Sequence, residues 1–106
     1  MKRLILLSTL LLALNASATS QLEPLMGFLR DANGISFQVF SGGCTSKEDF
    51  SVKEKTADGI AALALYRLKP DYCSARYPYG VIITFTYQEL GIGPGERFSV
   101  LNHLSY

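Results

Sequence analysis

From residue 35 onward the chain alternates apolar and polar residues with a period of two. In ISFQVF, Ile35, Phe37 and Val39 fall on one side and Ser36 and Gln38 on the other, the pattern of a strand with one face on a core. DFSVKEK repeats it, with Phe50 and Val52 inward and Ser51 and Lys53 outward. IAALALYRL, residues 60–68, is apolar on both parities and suits a buried central strand, while Asp58-Gly59 before it marks a tight hairpin turn. GVIITFTY, residues 80–87, is rich in β-branched and aromatic residues and reads as a fourth strand. ERFSVLN supplies a fifth after the turn GIGPG. The pattern predicts a mainly β domain, a small five-stranded antiparallel sandwich or open barrel.

The segment before residue 35 has a different rhythm. Leu22, Leu25, Met26 and Leu29 stand at helical spacing, Ser20 and Glu23 can form a capping box, and Asn33-Gly34 can end the segment. A short N-terminal helix is expected here, with an irregular or strand-like arm as the alternative because Pro24 and Gly27 weaken a helix. Further upstream, Lys2 and Arg3 precede an apolar run over 4–14, and Ala16-Ser17-Ala18 gives a small-x-small cleavage pattern. Residues 1–18 therefore read as an export signal, leaving one β-rich domain over 19–106 with an N-terminal arm over 19–33. The run is shorter than the roughly 20 residues of a stable anchor, so no stable membrane anchor is expected. The expected location is the periplasm or the medium.

Without Lys2 and Arg3 the balance is eight basic against nine acidic residues, with the signs interspersed. A clustered positive surface of the kind that binds nucleic acid is missing from the pattern, so no nucleic-acid partner is expected. The remaining 88 residues are few enough for a covalent staple to matter. Cys44 and Cys73 are the whole cysteine supply, and in an exported chain such a pair reads as a structural disulfide, a labile or intermolecular bond being the alternative. In SGGCTSKEDF, Gly42 and Gly43 let the chain turn sharply and Cys44 pins the turn. There is no Cys-x-x-Cys couple, and two cysteines with one histidine do not make a zinc set, so no metal and no cofactor is expected.

The turn Ser41-Gly42-Gly43-Cys44-Thr45, the start Asp49-Phe50, LYRLKPDYC over 65–73 and FTYQELG over 85–91 resemble a group of small exported bacterial proteins of uncharacterised function. The likeness spans residues 35–102. It implies an exported, disulfide-linked β-domain and brings no catalytic residue with it.

Candidate chemistry is sparse. His103, the only histidine, lies close to the C-terminus, where a general base is poorly positioned. No Gly-x-Ser-x-Gly elbow is present, and GIGPGE lacks the spacing of a phosphate loop and reads as a turn. Glu48, Asp49, Asp71, Glu89 and Glu96 sit at turns, where two could face each other as a hydrolase pair, although solvated turn charges are the commoner arrangement. No catalytic residue is assigned. DYCSARYPYG places Tyr72, Arg76, Tyr77 and Tyr79 around Cys73. Such rings either form a rigid recognition surface or close the open end of the core. The sequence thus points to a small binding or inhibitor-type module whose partner is another protein of the envelope or medium. A small periplasmic hydrolase using loop carboxylates and a passive envelope protein are the alternatives. The oligomeric state is left open.

Overall fold

The computed structural model describes residues 21–105; the expected export signal lies outside the described residues. The strands follow as β1 (Gln21–Leu22), β2 (Leu25–Arg30), β3 (Gly34–Val39), β4 (Phe50–Ala57), β5 (Ile60–Arg67), β6 (Val81–Thr86) and β7 (Arg97–Val100). A 3-10 turn, Lys47–Asp49, leads into β4, and one helical turn, α1 (Tyr87–Leu90), follows β6. One sheet has the order β2-β3-β6. In the other, β5 lies between β4 and an edge that β1 and β7 share. The two sheets bury one core between them, and they do not close into a barrel among the described residues.

The alternation in the sequence is what makes that core. Ile35, Phe37 and Val39 of β3 and Ile83 and Phe85 of β6 pack with Phe50 of β4 and Ala61, Leu63 and Leu65 of β5. Phe37 and Phe85 meet edge to face at 6.0 Å. On the opposite face of β3 and β6, the hydroxyls of Ser36 and Thr84 hydrogen-bond at 2.7 Å. The turn Asp58-Gly59 has φ of 54° and 77°, the pair of positive angles that a two-residue type I′ hairpin needs, and it sets Ala57 opposite Ile60.

Three expectations are corrected. The segment expected to be a helix is strand: β1 pairs with β5 and β2 with β3. The misleading spacing comes from a register shift between Leu25 and Gly27, where Met26 is the extra residue of a β-bulge. Leu25 lies opposite Val39 before the bulge, Phe28 opposite Phe37 after it. One inserted residue thus changes a period of two into an apparent helical period. The expected capping role of Glu23 gives way to a buried ion pair, described below.

The strand count exceeds five, and the sheet is not wholly antiparallel, because β7 pairs parallel to β5 from Ile60↔Arg97 to Leu63↔Val100. Between them the chain crosses to the other sheet as β6 and returns along β5 in the same direction. Finally, the fourth predicted strand stops at Thr86. There the Thr86 hydroxyl accepts from the Glu89 amide while the Glu89 carboxylate accepts from the Thr86 amide, a capping box that opens α1. Gly91, at φ 74°, ends it.

β1 and β7 leave a gap along β5, and Asn102 fills it. Its side-chain oxygen accepts from the Leu65 amide at 2.9 Å, and its amide nitrogen donates to the carbonyls of Leu65 at 2.8 Å and Glu23 at 2.7 Å. A side chain thereby completes the ladder where no strand reaches, which is why a polar residue that is 6% exposed is stable there. The C-terminal residues then bridge back to β2, with Leu25 donating to the His103 carbonyl.

Candidate functional site

The corner built by SGGCT is closed twice over. Cys44 and Cys73 are disulfide-bonded with their Cα atoms 5.8 Å apart. Inside this link sits the Asp71 carboxylate. One of its oxygens accepts from the amides of Gly42 at 2.8 Å and Cys44 at 3.0 Å and from the Thr45 hydroxyl, the other from the Cys73 amide at 2.9 Å. The hydrogen bond from Thr45, followed by those from the Cys73, Gly42 and Cys44 amides, holds the Asp71 carboxyl well below the usual carboxylate range, more than offsetting its partial loss of water. Gly42 must be glycine because a Cβ there would collide with the Cys73 carbonyl; Gly43 has φ of 111°. Ala75 closes the corner by donating to the Gly42 carbonyl at 2.8 Å.

The corner is tied to the sheet through Arg67, near the end of β5. Its guanidinium donates to both oxygens of Glu23 at 2.9 Å, to the Phe40 carbonyl at 3.0 Å and to the Thr45 hydroxyl at 3.2 Å, and lies 4.6 Å from the Phe50 ring centre. Thr45 in turn donates to Asp71. A continuous series of charge-assisted bonds therefore runs from Glu23 through Arg67 and Thr45 to Asp71 and the turn amides.

This frame carries residues 72–80, where the four predicted recognition residues lie. Tyr72 and Tyr79 are 89% and 80% exposed, so they do not close the core; Tyr77 is half exposed and Arg76 is exposed. The tip is ordered by backbone bonds. Gly80 donates to the Tyr77 carbonyl at 2.8 Å, and the Gln38 side chain donates to the Tyr79 carbonyl at 2.6 Å. A Cβ at Gly80 would collide with the Val39 carbonyl, so the loop can lie this close to β3 only with glycine there.

Three shallow apolar grooves join across this side of the molecule. The first, about 290 Å³, is lined by Phe40, Ser41, Ala75, Arg76, Tyr77 and Pro78. Pro78 also borders a second, about 250 Å³, with Met26, Gln38 and Tyr79. Gln38 continues into a third, about 280 Å³, which includes Leu29, Ser36 and Ile82 on the outer face of the β2-β3-β6 sheet. Arg76 is the one charged residue in these linings. Tyr77 and Tyr79 belong to this strip, whereas Tyr72 does not line it. Phe40, Leu29 and Ile82, exposed by 54%, 65% and 62%, are the parts of the surface that sequence reasoning missed. The apolar outward position of Ile82 in an alternating strand was the available signal.

Of the carboxylates weighed for hydrolysis, Asp49, Glu89 and Glu96 serve as acceptors in their own turns, as Asp71 does for the corner above. Asp49 accepts from the Ser46 amide, Glu96 from the Gly93 amide, and Glu89 caps α1 while pairing with Lys47 at 2.8 Å. Lys47, and then the Thr86 amide, hold the Glu89 carboxyl below its usual range. Cys44, Asp71 and Cys73 are close enough together to suggest metal ligands, but their sulfurs are bonded to each other and the carboxylate is occupied by amides and a hydroxyl. The donor set does not fit a metal. No described helix is long and apolar enough to cross a membrane. No family model, curated protein or solved structure matches the chain.

Proposed function

We propose that this protein is an exported protein-recognition module that meets its partner through the strip running from Phe40 and Tyr77 past Tyr79 to Ile82 and Leu29. The observation that carries this reading is the continuity of the three grooves, which joins the tyrosines of a loop held by the disulfide and by Asp71 to exposed aliphatic side chains of β2 and β6. A contiguous apolar surface rimmed by polar groups suits a protein partner, and a pre-ordered loop loses little conformational freedom on binding. The disulfide suits an oxidising compartment outside the cytoplasm. A hydrolase reading draws less support, because Asp49, Glu89 and Glu96 already serve as acceptors within their own turns and Asp71 as the acceptor of the Gly42 and Cys44 amides.

The reading is tested by placing a photoreactive phenylalanine at Tyr79 or, as a control, at Lys55 on β4, and irradiating cells that export the protein. One discrete crosslinked protein from position 79 and none from position 55 is the expected result. The same products from both positions would overturn the assignment of this face.

A further inference from the structure

β4 and β6 are each hydrogen-bonded along one side only among the described residues, β4 to β5 and β6 to β3. Their defences differ. β4 carries Lys53, Glu54 and Lys55, charges that discourage an added strand. β6, VIITFT, has no charge, no proline and no bulge, and its flanks Tyr79-Gly80 and Tyr87-Gln88 are uncharged too.

The direction of its free backbone groups can be worked out. The Thr86 amide donates to Glu89, so it points away from β3. The Phe85 carbonyl lies over Gly34 and the Val39 carbonyl over Gly80, which places the alternate residues 81, 83 and 85 on the β3 ladder. In an antiparallel ladder the intervening residues turn their N–H and C=O groups outward. These are Ile82 and Thr84, and no other described element bonds their backbone.

We propose that β6 pairs antiparallel with β6 of a second copy of this chain, with the two-fold axis at Ile83. In that register Ile82 of each copy exchanges both backbone hydrogen bonds with Thr84 of the other, so all four outward donors and acceptors are satisfied at once. An axis at Ile82 satisfies only one such pair, and an axis at Thr84 needs the Thr86 amide that Glu89 occupies. Charge does not oppose this occupant. No like charges meet along this strand, whereas Lys53 and Lys55 would oppose their counterparts at a β4 edge. The pairing extends a three-stranded sheet to a six-stranded one. It does not depend on the recognition reading, with which it shares only Ile82: the side chain of that residue lines the groove, whereas its backbone groups would make the pairing.

The test is molar mass by light scattering and site-resolved amide exchange on the oxidised mature chain, at about 10 µM and about 1 mM, a range that brackets the weak affinity of so small an interface. Expected is a monomer that approaches twice its mass at the higher concentration, with exchange at Ile82 and Thr84 slowing several-fold and no change along β4. Thr84→Pro removes an outward N–H, along with the hydroxyl that bonds Ser36, and should abolish the mass increase while the Ile83 amide stays protected. If that variant does not fold, Ile82→Lys, at an exposed side chain, should give the same loss. A monomer at both concentrations, a dimer whose protected amides lie outside β6, or a dimer unchanged in a folded variant would each overturn the proposal.

Discussion

Replacing Arg67 with methionine should be among the most damaging single changes available in this domain. Its guanidinium makes two 2.9 Å bonds to Glu23, and the Glu23 and Arg67 side chains are only 7% and 12% exposed. Methionine keeps most of the aliphatic stem against Phe50 but leaves the Glu23 carboxylate without its cation in a place water hardly reaches. Breaking a buried pair in this way costs about 3 to 5 kcal/mol, against a net stability of about 5 to 15 kcal/mol for a domain. Changing Glu23 to glutamine in the same chain removes the stranded charge, so the double variant should lose less than the two single losses added together. The assay is urea and thermal unfolding of the oxidised domain over residues 19–106 with all four members of the cycle. At about 4 to 8 °C per kcal/mol, the single Arg67 variant should melt at least about 12 °C lower. A loss under about 1 kcal/mol, as for a surface pair, or strictly additive losses would refute the reasoning.

Other outcomes follow from the same structure. Asp71→Asn should lower the unfolding midpoint at pH 7. Because the folded carboxyl lies below its ordinary value of 3.8, its contribution is complete above that value and fades as the pH falls toward the folded pKa. The gap between wild type and Asp71→Asn should therefore narrow in acid, and a constant gap would contradict the role given to the turn amides. Asn102→Leu leaves the Leu65 amide without its acceptor and should cost about 1 to 3 kcal/mol; an unchanged urea midpoint would show that water replaces the side chain. Cys44→Ala with Cys73→Ala opens a 29-residue link and should cost about 3 to 4 kcal/mol, read as the difference in unfolding free energy from the oxidised wild type.

The outline of the core was legible because β3, β4 and β5 obey simple rules. Inward residues alternate in the first two, and a two-residue turn sets the hairpin between the last two. β2 was not legible, since the bulge at Met26 imitates a helical spacing and only the partner strand distinguishes them. α1 was overlooked because FTYQEL continues an excellent strand, although Thr86 and Glu89 stand at capping-box spacing. Asp71 was seen as one surface carboxylate among several. The clue was its place two residues before Cys73, which brings it to the Gly42 and Cys44 amides once the disulfide forms. Glu23, Arg67 and Asn102 left no such local trace. Their hydrogen-bonded partnerships described above span 22 to 79 residues of chain, and no periodicity encodes them.

The most direct test of the proposed recognition surface is affinity capture from envelope and medium fractions with the oxidised domain over residues 19–106 and with its Tyr77→Ala/Tyr79→Ala variant, once both are shown to unfold at the same temperature. The account predicts a single protein retained by the first bait and lost from the second. The same protein held equally by both would contradict it.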